Sequence, residues 1–141
     1  MGLLDNYTGI GMSPRPKWQH QNVMRRAIHR TYEELEAQDL IMQSESTVTD
    51  DWNDLAPDLV IFDACYLPLS IIEITTHKDC KKIIRKCHEL IVRFPDAEFF
   101  VYDYEEDVLY GYNGPTSEWV TEDEYELKSQ YLSQPLRNYL E

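Results

Sequence analysis

Two carboxylates in one short apolar stretch carry the chemistry this sequence offers. Residues 57–75 read Pro-Asp58-Leu-Val-Ile-Phe-Asp, a turn-like Ala-Cys-Tyr-Leu, then Pro-Leu-Ser-Ile-Ile-Glu73-Ile74-Thr75. Asp58 opens one apolar run and Glu73 lies inside the next. An ionised carboxylate costs several kcal/mol to desolvate unless a partner compensates it. A shared divalent cation, bound through oxygen, is one such partner. The structural alternative has Asp58 starting its strand and Glu73 pairing with a lysine of the following helix.

The elements around these acids decide whether they meet. Each run has the length and the Val/Ile/Leu content of a buried strand, and the turn between them predicts a hairpin. Alternation along the second strand puts Ile71, Glu73 and Thr75 on one face and Ile72, Ile74 and Thr76 on the other. In a hairpin the start of the first strand lies near the end of the second. Asp58 therefore comes close to Glu73 if both face the same side.

Residues 1–16 contain Gly and Pro without periodicity and read as an N-terminal arm. A first helix is predicted from Trp18 to Gln38, with Val23, Met24, Ala27, Ile28, Thr31 and Leu35 as its inner stripe. His20 and His29 read as ordinary helix residues, although His20 is near enough to the helix start to face a neighbouring site. A strand follows from Leu40, extending toward Val48. Asp50-Asp51-Trp52-Asn53-Asp54 is a loop that lacks the glycine and terminal glutamate of a calcium-binding loop.

A second helix is predicted over Lys78 to Phe94, stopped by Pro95-Asp96. Strands at Glu98–Asp103 and Val108–Tyr112 pair across an acidic turn. Residues 113–141 form a C-terminal extension. Seven of the ten tyrosines lie beyond residue 100, which suits either a homodimer interface or the packing of this terminal part. The order α-β-β-β-α-β-β describes a single α/β domain, a mixed sheet flanked by two helices.

The formal net charge of −13 on 141 residues opposes non-specific nucleic-acid binding by the chain as a whole. The distribution is uneven, however. Residues 12–30 hold Arg15, Lys17, Arg25, Arg26 and Arg30 with no acid, and residues 78–93 hold six basic residues against Asp79 and Glu89. Cys65, Cys80 and Cys87 have no CxxC spacing, so neither a disulfide framework nor a zinc site is expected. With no signal peptide and no apolar run of bilayer length, a cytoplasmic protein without membrane contact is the expectation.

Pro57-Asp58, Glu73 on the next strand, a basic helix and a strand ending in Asp103 together resemble the PD-(D/E)XK nuclease superfamily. More narrowly, SPRPKWQH (13–20), PDLVIFD (57–63), EITTHKDCKKIIRK (73–86) and EFFVYD (98–103) resemble a bacterial family of candidate restriction endonucleases known as a domain of unknown function. The resemblance covers roughly residues 13–112. It implies a restriction-endonuclease-like fold and metal-dependent hydrolysis of phosphodiesters, with DNA as the substrate. Asp58, Glu73 and the carbonyl of Ile74 would hold Mg²⁺ or Mn²⁺.

Two departures stand out. The superfamily lysine falls at Thr75, and no glutamate precedes the first helix, where relatives carry an acidic motif. The cation must then come from the second helix. Lys82, one turn in and leaning back toward the helix N-terminus, is the expected catalytic lysine, with Lys86 as the alternative and Lys78 third. Nucleic-acid contacts would fall to Arg25, Arg26 and Lys86. The missing lysine and the overall acidity support an alternative, a nuclease-fold protein that has lost catalysis and serves as a binding or regulatory module, whereas Asp58 and Glu73, both kept at costly positions, favour the enzyme.

Overall fold

The computed structural model describes residues 18–45 and 56–141. The expected arm at 1–16, the continuation of the first strand toward Val48 and the acidic loop at 50–54 lie outside the described residues.

Helix α1 spans Trp18–Glu36 and buries Val23, Met24, Ala27, Thr31 and Leu35. These positions recur at helical spacing, so one stripe faces the sheet and the rest faces solvent. The chain turns at Asp39, in the left-handed region with φ 58, which a short polar side chain tolerates. Strands β1 (Ile41–Ser44), β2 (Leu59–Phe62) and β3 (Pro68–Thr75) follow as an antiparallel meander. The β2–β3 turn is closed by Asp63, whose Oδ1 accepts the backbone N–H groups of Cys65 and Leu67 at 2.8 and 2.9 Å.

Helix α2 (Cys80–Arg93) then carries the chain back, so that β4 (Glu98–Asp103) lies parallel to β3. Parallel neighbours need such a crossover. Strands β5 (Val108–Asn113) and β6 (Glu118–Thr121) complete a six-stranded mixed sheet in sequential order, and a short helix α3 spans Arg137–Leu140. Strand β6 and α3 are additional to the elements expected from the sequence. The former is only four residues long and carries no buried position, which leaves little pattern to read.

The two helices cover opposite faces. Leu59, Ile61, Ile72, Ile74, Phe100 and Tyr102 pack with the α1 stripe. Val60, Phe62, Ile71 and Phe99 pack with Leu90 of α2. The alternation expected along β3 is thus present, and Glu73, between Ile71 and Thr75, belongs to the α2 face.

Residues 113–141 are built into the α1-side core through Leu127, Leu132, Leu136, Tyr139 and Leu140. Arg137 ties this part to the sheet by pairing with Glu122 and Asp107 and lying over the Tyr102 ring. Tyr102 and Tyr139 are buried and Tyr125 is exposed, so much of the tyrosine density serves internal packing. No helix among the described residues is long and apolar enough to cross a membrane.

Candidate active site

The β2–β3 register places Leu59 opposite Ile72, which sets Asp58 beside Glu73. The two are interlocked. Asp58 Oδ2 accepts the backbone N–H of Ile74 at 2.7 Å, and the Asp58 N–H points to Glu73 Oε1 at 3.4 Å. Glu73 is 1% exposed. Lys86 of α2 brings its Nζ to 3.0 Å from Glu73 Oε2. Lys86 thereby forms an ion pair with a carboxylate that is almost wholly out of solvent. His20, in the first turn of α1, brings Nε2 to 3.2 Å from Asp58 Oδ2, and its buried Nδ1 has no hydrogen-bond partner among the described residues.

The electrostatics follow from this geometry. Burial raises the Glu73 carboxyl, the Asp58 charge adds to the effect, and Lys86 opposes both, leaving it pushed up to about 7. Burial alone would lower the His20 pKa. The hydrogen bond and charge of Asp58 outweigh it, and the imidazole is raised. On the wall behind Lys86, burial pushes the Cys87 thiol up, which makes it an inert packing group.

Asp58 and Glu73 therefore meet, Ile74 joins them through its N–H to Asp58, and the lysine against Glu73 is Lys86. Lys82 is solvent-exposed, and among the described residues no ion pair involves it. Of the two lysines, Lys86 and not the expected Lys82 lies against Glu73. Glu73 lies two residues inside β3, not at its end, and α2 begins at Cys80 and runs back along the sheet. Lys86 is about 9 Å down that helix at 1.5 Å per residue, level with Glu73, while Lys82 stays above it. The pairing of Glu73 with a lysine of the next helix, expected under the structural alternative, is itself present.

The expected DNA-contacting arginines divide. Arg25 is exposed, with its guanidinium against Asn22 Oδ1, and borders a groove of about 520 Å³ between α1 and Ser44. That groove does not include the acids. Arg26 is half-buried and donates to the Leu140 carbonyl at 3.0 Å, while Arg30 donates to the carbonyls of Asn138 and Glu141. The Arg26 guanidinium is thus turned to the C-terminal end of α3, where the Leu140 carbonyl has no helical partner.

His20 is the residue to which the sequence reading gave little weight. Its signal was positional: it sits one helical step before Val23 and Met24, so it extends the buried stripe toward the site.

Among the described residues no group of three or more His, Cys, Asp or Glu side chains is arranged to hold a metal ion. What the site offers is two carboxylates and the backbone of β3 beside them. That donor set is all oxygen and incomplete. It fits a hard cation that keeps several waters, such as Mg²⁺, better than a zinc-type site.

A mixed sheet with the acids on an adjacent strand pair and helices on opposite faces defines a restriction-endonuclease-like fold. Among solved structures, the chain is similar to that of a candidate nuclease belonging to DUF820 from Anabaena variabilis ATCC 29413, with a TM-score of 0.69 over 92% of this chain and 84% of that one. The sequences are 15% identical, and the likeness extends to the fold alone. No family model and no curated protein matches the chain.

Proposed function

We propose that this protein is a metal-dependent nuclease that hydrolyses phosphodiester bonds in DNA at the Asp58–Glu73–Lys86 site. The observation that carries the reading is the pairing itself: Glu73, a carboxylate 1% exposed, lies beside a second acid, Asp58, with the Lys86 ammonium 3.0 Å from its Oε2. Two acids held side by side out of water, with one ammonium between them and solvent, are costly unless a further positive charge offsets the second.

Asp58, Glu73 and the Ile74 carbonyl would hold Mg²⁺ or Mn²⁺. Bound there, the cation would supply positive charge against the phosphate and lower the pKa of a water molecule. Lys86 takes the role left vacant at Thr75. Its ammonium, 27% exposed at the side chain and anchored by Glu73, can face a non-bridging phosphate oxygen. His20 fixes the Asp58 carboxylate from the α1 side. The exposed Arg25 and the basic face of α2 would add backbone contacts whose strength falls with salt.

A second reading, a catalytically inactive binding module, draws on Thr75. Its hydroxyl donates to the Thr76 carbonyl at 3.0 Å and offers no cation. Incubation of supercoiled plasmid with Mn²⁺ separates the two. The nuclease reading expects nicking by the wild type and a loss of roughly 10²-fold or more in Asp58→Asn. Wild-type protein that binds DNA but never nicks it would leave the binding module instead.

A further inference from the structure

Apart from Arg25, the groove between α1 and Ser44 takes no part in the reading above. We propose that it holds an unpaired nucleic-acid strand leading away from the Asp58–Glu73 site, with its bases laid against the α1 wall and a phosphate at Arg25. The inference rests on the nuclease reading for the site that the strand enters, and deepens it by naming a single strand as the preferred substrate.

Both walls place the groove beside the acids. On α1, Gln21 lines it and follows His20, whose Nε2 lies 3.2 Å from Asp58 Oδ2. On the sheet, Ser44 lines it, pairs with Leu59 and precedes Glu45, whose N–H donates to the Asp58 carbonyl at 2.9 Å. One end of the groove is therefore a single residue from a contact to Asp58 on each side. From Gln21 it follows α1 to Glu33, about 18 Å at the helical rise of 1.5 Å per residue. Its volume of about 520 Å³ falls within the roughly 300–1,000 Å³ of small-ligand sites.

The lining suits bases. Gln21, Arg25, Ile28 and Tyr32 recur at three- and four-residue intervals and form one stripe beside the buried one. Met24 and Ile28 give the groove an apolar floor. Tyr32 presents a ring in a residue 54% exposed, while its hydroxyl donates to Glu36 Oε2 at 2.7 Å. A tethered, open ring beside an apolar floor is a surface on which bases stack without regard to sequence, and stacking there requires bases released from a duplex.

Charge favours the same occupant. Arg25, two turns nearer the site than Tyr32, is exposed, whereas Arg26 and Arg30 of the same helix are committed to the carbonyls of α3. His29 lies one turn beyond Arg25 on the same wall, and Glu33 lies at the far end, where an acid repels phosphate. A duplex carries a charge every 1.7 Å or so and a single strand one about every 3.4 Å. Against a net charge of −13, the single strand meets less repulsion.

The test measures binding by fluorescence anisotropy with a metal chelator present, so that no strand is cut. Three labelled probes of equal length are compared: a single-stranded deoxyoligonucleotide, the same strand built from abasic residues, and a duplex. Wild type should bind the base-bearing single strand at least about 5-fold more tightly than either of the others. Tyr32→Ala should lose that advantage and bind the abasic strand as wild type does. Tyr32→Phe, which keeps the ring and loses only the bond to Glu36, should retain it. Arg25→Gln should weaken both single strands alike and flatten their salt dependence. The inference is overturned if wild type binds base-bearing and abasic strands equally, prefers the duplex, or binds no probe at low salt. Equal losses in Tyr32→Phe and Tyr32→Ala would also overturn it. Plasmid nicking with Mn²⁺ reports on the nuclease reading separately. Nicking without base-dependent binding sinks the groove alone, and base-dependent binding without nicking removes the nuclease and leaves a strand-binding groove.

Discussion

Replacing Glu73 by glutamine isolates the electrostatic cost of the site. An ordinary glutamate titrates at 4.5, whereas burial beside Asp58 pushes Glu73 up to about 7 even with Lys86 at 3.0 Å. The native state therefore holds a proton over a range where the unfolded chain has released it. A raised carboxyl makes stability fall as pH rises from 4.5 toward 7, and the loss is complete above that value. The interval corresponds to roughly 3 kcal/mol between pH 4.5 and pH 8.

Glutamine removes the titration and preserves the volume, and Lys86 can turn to solvent. Urea unfolding with a metal chelator present should then show Glu73→Gln gaining about 2–3 kcal/mol relative to wild type between pH 5 and pH 8. A stability difference that stays flat across this range would mean that Glu73 ionises as in water, and the argument for a dry, ligand-seeking carboxylate would be wrong.

The lysine assignment predicts that Lys86→Ala loses plasmid nicking by about 10²-fold or more, whereas Lys82→Ala stays within a few-fold of wild type. Similar rates for the two variants in the same assay would remove Lys86 from the site. For the arginines, Arg25→Ala should weaken DNA binding and flatten its salt dependence without changing the melting temperature. Arg26→Ala should instead destabilise the fold by about 1–2 kcal/mol through the unpaired Leu140 carbonyl, seen as a lower urea midpoint. A stable Arg26→Ala protein with impaired DNA binding would reverse that division.

The parts of this molecule that were legible from sequence are those with strong periodicity. The α1 stripe, the two apolar runs around the Asp63 turn and the crossover helix all carry strong apolar patterns, and the hairpin brings Asp58 close to Glu73 once both face the same side. Side-chain reach was harder. Lys82 and Lys86 share a flank of α2, and choosing between them requires the depth of Glu73 within β3 and the helix start at Cys80. A two-residue error in either moves the facing position by half a turn or more.

Long-range polar contacts left no local trace at all. Arg26 is separated from Leu140 by 114 positions, and nothing near Arg26 in the chain distinguishes a capping arginine from a phosphate-binding one. His20 was readable only as an extension of an apolar stripe by a polar residue. Asp103 showed itself as the end of a strand, but its two backbone donors, Glu105 and Glu106, come from a turn whose conformation, with Asp107 at φ 57, is not written in its acidic sequence.

The central claim is that Asp58 and Glu73 together form a cation site, and calorimetric titration with Mn²⁺ at pH 8 tests it most directly. Wild type should bind one Mn²⁺ with an affinity that rises from pH 6 to pH 8 as Glu73 gives up its proton, and Glu73→Gln should bind at least about 10-fold more weakly. Equal binding by the two proteins, or no binding by the wild type, would contradict it.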